Sequence, residues 1–241
     1  MKIGILETDI LDKNINEKFG SYPDMFEKLL RSIDSNILFQ TYQVINFEYP
    51  LTIDECDAYL ITGSKFSAYD DELWINRLKD YVVSLVHRQK KLIGICFGHQ
   101  IIAQALDGRV ERSDKGWGVG QFSSRILSCK NWIQPAMDDF SLLVSHQDQV
   151  VKLPDGAEVV AGNDFCPNSG FIISNHVLTF QGHPEFNSEY LQYIMDKRRS
   201  DIGEEKYANA MHSLKNSVDS SLVAQWILNF LKYDISGANH L

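Results

Sequence analysis

Lys91-Leu92-Ile93-Gly94-Ile95-Cys96-Phe97-Gly98-His99-Gln100-Ile101-Ile102-Ala103-Gln104-Ala105-Leu106-Asp107-Gly108 is an apolar run that carries a cysteine between two glycines and then continues in a helix-forming stretch. Residues 91–95 predict a buried strand, Gln100 to Leu106 a helix, and Asp107-Gly108 its stop. A strand that turns straight into a helix leaves the residue between them strained and exposed at the top of the sheet. Glycines two before and two after it let strand and helix approach each other. Cys96 therefore stands at a helix N-terminus, where the dipole and unpaired amides favour a thiolate. Most intracellular cysteines are simply buried. The flanking glycines instead predict a nucleophile, which then needs a base and a group to orient that base.

Outward from this turn, short apolar runs at 2–6, 37–44 and 58–62 alternate with amphipathic stretches at 24–33 and 72–88, and the helix after Cys96 covers 99–106. That rhythm predicts βαβ units and a mostly parallel central sheet with helices on both faces. After Gly108 the texture changes to β-rich runs at 118–127, 142–145, 150–153, 158–161, 170–173 and 177–181, joined by turn signals such as Pro154-Asp155-Gly156. These predict an antiparallel segment beside the parallel sheet or at its edge. From Ser188 the spacing is helical: Leu191, Ile194 and Met195, then Val223, Trp226, Ile227 and Phe230. The expectation is one α/β domain over 1–241, with 188–233 a helical extension packed on it.

A net charge of −9 argues against a nucleic-acid surface, which needs clustered Lys and Arg. The densest basic run, Lys197-Arg198-Arg199, is expected to complement the dipole at a helix C-terminus and not to bind a ligand. No stretch is long and apolar enough for a membrane span. Met1-Lys2-Ile3-Gly4-Ile5-Leu6 has the form of a strand and not of a signal peptide, and the four cysteines lack paired spacing. A cytoplasmic protein without disulfides is expected.

The run at 177–181 leads into Gly182-His183-Pro184-Glu185. Pro184 pushes His183 out of the helical region, and side chains two apart on extended backbone point to one side. His183 can then take the proton of Cys96 while Glu185 orients the imidazole. A zinc site made of a cysteine with His99, His146 and His183 matches no common ligand spacing. For acyl transfer, the amide of Phe97 and one from the turn Thr62-Gly63-Ser64-Lys65 could face a developing oxyanion. That turn follows another central strand and belongs at the same carboxyl edge of the sheet.

The three motifs Gly-Ile-Cys-Phe-Gly-His-Gln (94–100), Ser-His-Gln-Asp (145–148) and Gly-His-Pro-Glu (182–185), in this order, resemble those of the class I glutamine amidotransferases over roughly residues 1–191. The resemblance implies a flavodoxin-like fold and hydrolysis of a γ-glutamyl amide through a thioester, with no metal or cofactor. Carried over, it makes Cys96 the nucleophile, His183 the base and then acid, and Glu185 its orienter. Backbone amides of Ser64 and Phe97 would form the oxyanion hole beside Gly63. Gln100 and the Ser145-His146 turn would hold the α-amino and carboxylate ends of the glutamyl group. Where synthetase-linked members commonly have Gly-Gly-Pro, this chain has Gly63-Ser64-Lys65-Phe66, so that Lys65 and Phe66 are expected at the pocket mouth. With the Lys115-Gly116-Trp117-Gly118 turn and the helical tail, this loop looks like the free-standing, GMP-synthase-like branch, which includes γ-glutamyl peptidases.

The chain has no Walker loop or other ATP signature, so it cannot complete an amidation by itself. The expected ligand is a small γ-glutamyl compound. The expected activity is that of a stand-alone hydrolase, with a glutaminase passing ammonia to a synthetase subunit as the alternative. A non-enzymatic protein sensing redox state through Cys96 is a third reading, and it would need no His183–Glu185 pair.

Overall fold

The computed structural model describes residues 1–233; the last eight residues of the expected domain lie outside the described residues. The first half is β1 (Lys2–Glu7), α1 (Lys13–Phe19), α2 (Tyr22–Arg31), β2 (Leu38–Gln43), β3 (Ala58–Ile61), α3 (Leu73–His87), β4 (Lys91–Ile95) and α4 (Phe97–Ala105). There follow β5 (Arg109–Arg112), β6 (Gly118–Ile126), β7 (Asp139–His146), β8 (Asp148–Lys152), β9 (Ala157–Gly162), β10 (Gly170–Ile173) and β11 (Val177–Phe180). Four helices close the described chain: α5 (Ser188–Lys197), α6 (Arg199–Ile202), α7 (Glu204–Ser213) and α8 (Ser220–Lys232).

Nine strands form one sheet in the order β2-β1-β3-β4-β11-β10-β9-β6-β7, while β5 and β8 pair separately. The first five run parallel, and from β11 onward each neighbour is antiparallel. The expected antiparallel segment thus extends the same sheet. Period-two alternation sorts the side chains of the parallel strands onto two faces. Ile3, Ile5, Leu60, Ile93, Ile95 and Leu178 pack against α2 and α8, where Trp226 and Phe230 are buried core aromatics. Leu6, Tyr59, Ile61, Leu92 and Val177 pack against α3 and α4. Strands covered on both faces have no polar side, which is why they appear in the sequence as unbroken apolar runs.

Boundaries shift from the expected ones for local reasons. Helix α2 begins at Tyr22 and not at 24, because the Ser21 hydroxyl accepts from the Asp24 amide while the Asp24 carboxylate accepts from the Ser21 amide, with Pro23 in the first turn. The C-terminal helical stretch is four helices, interrupted at Arg198, at Gly203, whose φ is +85°, and over 214–219. The α5–α7 group covers β6 and β7 through Tyr190, Leu191, Met195 and Ala210 against Val119 and Leu143.

Topology then places the loops. The C-terminal ends of β1, β3, β4 and β11 share one edge because these strands are parallel. Four antiparallel steps, from β11 through β10, β9 and β6 to β7, bring the chain back to the direction of the parallel strands, so β7 also points its C-terminus there. The β6–β7 ribbon is tied to β9 by two residue pairs only, and it curls so that Leu143 O accepts from His183 N at 2.8 Å. Residues after β1, β3, β4, β7 and β11 therefore converge on one crevice, the usual ligand site of open α/β sheets.

Candidate active site

Cys96 sits between β4 and α4 with φ 53° and ψ −102°, a conformation strained for any residue with a Cβ. The glycines around it make that turn possible. A methyl on Gly94 would lie 2.6 Å from Gly98 O, and one on Gly98 would lie 2.3 Å from Ile61 O, so α4 presses on both β4 and β3. The Cys96 amide donates to Phe180 O at 2.9 Å, continuing the β4–β11 pairing to the turn. This leaves Phe97 as the first residue of α4, whose N–H has no partner within the helix.

His183 and Glu185 follow β11. His183 Nδ1 lies 2.7 Å from Glu185 Oε1, and the imidazole stacks on Phe186 at a centroid distance of 3.7 Å and an angle of 7°. Both side chains are buried. With Nδ1 on the carboxylate, Nε2 is the ring nitrogen left for Cys96, whose sulfur lies close enough to act on the imidazole electrostatically. Burial alone would push the His183 pKa down. The Glu185 charge and the Cys96 sulfur outweigh it and raise the pKa to about 10.

The Gly63-Ser64 loop is fixed from β1. Thr8 Oγ1 donates to Gly63 O at 2.9 Å, and Ser64 Oγ donates to Thr8 O at 2.8 Å. In a trans peptide the N–H points opposite to the C=O, so the Ser64 amide is turned away from Thr8. A Cβ on Gly63 would meet His183 Cε1 at 2.9 Å and Cys96 Cβ at 3.8 Å, which places this loop directly over the pair.

The remaining expected residues form one wall. Gln100 Nε2 donates to Asp148 O at 2.9 Å and to Gln181 Oε1 at 3.0 Å, while His146 Nδ1 lies 3.0 Å from Asp148 O. Burial, with a smaller contribution from the nearby His183, drives the His146 pKa down to about 4 against the opposing Asp148 contact, so His146 is neutral at physiological pH. His99 makes no contribution to the crevice: it is buried, with Nδ1 2.8 Å from Thr179 Oγ1, and burial pushes its pKa down to about 3.

The crevice has two lobes that meet at Cys96, Ser64, Lys65, Ser145 and Arg198. One, of about 170 Å³, is lined by His183 with Asp9, Tyr22, Tyr193 and Lys197. The other, of about 190 Å³, is lined by Gln100, Trp117, His146, Gln147 and Asp148, with Phe66. Lys65 Nζ reaches Asp9 Oδ1 at 3.0 Å across the first lobe. Arg198 overturns one expectation. Its Nη1 donates to Ser145 Oγ at 3.2 Å and its guanidinium lies 5.3 Å from the Trp117 ring, so it faces the crevice and does not merely cap α5. Asp9, Tyr22, Tyr193 and Arg198 gave no local signal in the sequence. They reach the site only because the α1–α2 and α5–α6 segments fold over it.

The sequence profile of the class-I glutamine amidotransferases matches residues 24–197. The chain is 31% identical over 228 residues to gamma-glutamyl peptidase 2 of Arabidopsis thaliana, covering 90% of each chain. To the glutamine-hydrolyzing GMP synthase of Aeropyrum pernix it is 27% identical over 142 residues, which are 58% of this chain and 28% of that one. A crystal structure of a glutamine amidotransferase from Thermotoga maritima has the same fold, with a TM-score of 0.75 at 18% identity over 95% of this chain and 96% of that one.

Proposed function

The chain belongs to the class I glutamine amidotransferase family, and from that premise we propose that it hydrolyses γ-glutamyl amide bonds through a thioester on Cys96. The observation that carries this reading is a strained elbow cysteine that lines one lobe together with His183, itself hydrogen bonded to Glu185 in a buried pair. In the proposed sequence, the Cys96 sulfur attacks the γ-carbonyl carbon, and the amides of Ser64 and Phe97 receive the developing oxyanion. The His183 imidazolium gives its Nε2 proton to the leaving nitrogen as the C–N bond breaks. Water then attacks the thioester and passes a proton back to His183. The C–S bond breaks as glutamate leaves, and the pair is restored with its proton on His183. Glu185 holds the imidazole in register throughout. No part of this assignment needs a second base, and neutral His146 fits the wall of the acyl lobe.

The two lobes support a division of the substrate. A proton donor must touch the leaving nitrogen, so the lobe lined by His183 takes the leaving group and the Gln100 lobe takes the glutamyl chain. Ammonia would occupy roughly 15 Å³ on the scale of one water-sized molecule. A leaving-group lobe of about 170 Å³ instead suits an amine or peptide with a body of its own. This favours a stand-alone γ-glutamyl hydrolase of peptidase type. The relationship to GMP synthases keeps ammonia delivery to a separate synthetase as the second reading.

The test is a panel of glutamine, γ-glutamyl dipeptides and γ-glutamyl amines assayed on the wild type and on Cys96→Ala. We expect hydrolysis of the dipeptides to exceed that of glutamine, and roughly a 10³-fold or greater loss in the variant. Unchanged turnover in Cys96→Ala would sink the mechanism. Glutamine turnover alone, rising when a synthetase is added, would replace the peptidase reading with the ammonia donor.

A further inference from the structure

We propose that Arg198 is the clamp for the α-carboxylate of the glutamyl group, a specificity residue that lies one position beyond the span matched by the family profile. The proposal rests on the γ-glutamyl reading above. Several cations surround the crevice, and their partners differ. Lys65 is paired with Asp9 at 3.0 Å, Lys197 with Asp12 at 3.6 Å and Arg199 with Glu204. Among the described residues, Arg198 has no carboxylate within ion-pair distance. Its contacts are a hydroxyl, Ser145 Oγ, and an aromatic face, Trp117.

The direction of the guanidinium follows from those two contacts. Of the two lobes, Trp117 lines the acyl one and not the other, and Ser145 stands where the lobes meet, so the head of Arg198 lies on the glutamyl side of Cys96. The guanidinium carbon lies over the indole, 5.3 Å from its centroid, and its planar fork carries five N–H groups. One of them is taken by Ser145, and the others remain for a carboxylate, the partner whose geometry matches the fork. The same lobe contains Asp148, whose carboxylate accepts from Ser67 Oγ at 2.5 Å and from Tyr69 OH at 3.0 Å. An α-amino acid end carries one ammonium and one carboxylate. The lobe offers one anion and one unpaired cation, a complement that a neutral amide or a simple alkyl chain does not require.

The Lys115-Gly116-Trp117-Gly118 turn acquires a purpose in this scheme. Gly116 has φ +73°, the chain reverses there, and Trp117 emerges half-buried beneath Arg198. The platform and the cation come from segments about eighty residues apart in sequence.

The experiment is a cycle between residue and substrate. Three substrates are compared: γ-glutamylglycine; γ-glutamyl methylamide, which lacks the leaving-group carboxylate; and 4-aminobutyryl methylamide, which lacks the α-carboxylate as well. On the wild type, deleting the α-carboxylate should lower kcat/KM roughly 100-fold, the range of a charge-assisted hydrogen bond pair. In Arg198→Ala that penalty should shrink below about tenfold, Arg198→Lys should fall between, and the penalty for deleting the leaving-group carboxylate should not change. Equal slowing of all three substrates by Arg198→Ala would assign Arg198 a merely structural role and overturn the proposal. Coupling to the glycine carboxylate instead would overturn it too.

Binding separates this inference from the chemistry. Calorimetry of L-glutamate against 4-aminobutyrate on Cys96→Ser, with and without Arg198→Ala, reads the clamp without any turnover. Preference for glutamate that vanishes with Arg198 supports the clamp even if the thioester mechanism fails. No Arg198-dependent preference refutes it even if that mechanism stands.

Discussion

Gly63→Ala is the most local perturbation of the proposed proton-transfer pair. The new methyl carbon would stand 2.9 Å from His183 Cε1, about 0.5 Å inside ordinary contact, while its distance to Cys96 Cβ, 3.8 Å, is unstrained. His183 has little room to retreat. Its far face rests on Phe186 at 3.7 Å, its Nδ1 is tied to Glu185 at 2.7 Å, and its backbone amide is bound to Leu143 O. The ring must therefore tilt or slide by about half an ångström, moving Nε2 relative to the sulfur and to the leaving nitrogen. Overpacking of this size costs about 1 kcal/mol, the low end of the usual range. The catalytic effect is larger. Misplacement by 1 Å costs on the order of 10²-fold in rate, so half of that should cost about tenfold or more in kcat/KM.

The assay is steady-state hydrolysis of a γ-glutamyl dipeptide alongside urea unfolding of both proteins. Expected is at least a tenfold fall in kcat/KM with a stability change of about 1 kcal/mol. Activity within twofold of wild type, with the variant folded, would mean that the His183 position does not govern the reaction.

Two further variants probe neighbouring parts of the site. Gly98→Ala sets a methyl 2.3 Å from Ile61 O, backbone that cannot rotate aside, so α4 must lift from β3; we expect a loss of about 2–3 kcal/mol in urea unfolding, and a loss under 0.5 kcal/mol would contradict the close approach. Glu185→Gln removes the charge that holds the His183 pKa up against burial. Because that pKa is raised in the folded protein, the protonated imidazole contributes stability in full below its unfolded value near 6.5, and the contribution is lost as pH rises through about 10. The alkaline limb of kcat/KM should move at least about one pH unit lower in the variant, and an unmoved limb would detach His183 from that limb.

Legibility in the sequence depended on how far apart the informative residues lie. The elbow is local: glycines at 94 and 98 answer to contacts made by the adjoining strand and helix, so their spacing already encodes the strained turn. His183 and Glu185 are two residues apart with a proline between them, again a local arrangement. The parallel strands were recognisable because burial on both faces leaves them wholly apolar. Helix α1 was missed because Ile15 and Phe19 are the only apolar residues in Lys13–Phe19, too few to establish a period.

Arg198 shows why the specificity half of the site resisted such reading. A basic run at the end of a helix is what the dipole favours, and nothing within Lys197-Arg198-Arg199 separates the middle residue from its neighbours. The separation is made by partners elsewhere: Asp12 takes Lys197, Glu204 takes Arg199, and Ser145 with Trp117 receives Arg198. Short-range motifs carry the chemistry because a nucleophile, its turn and a base with its orienter each need atoms held within a few residues. In the proposed division of the crevice the substrate's two ends lie on opposite sides of that chemistry, so the residues meeting them would come from whichever segments cross the sheet edge there. Here those are the loop after β1, the 115–118 turn and the α5–α6 junction. Substitutions in these segments should therefore change which γ-glutamyl compound is accepted while the reactivity of Cys96 is retained. Titrating the variants with a thiol reagent alongside the substrate panel would expose any case in which the two change together.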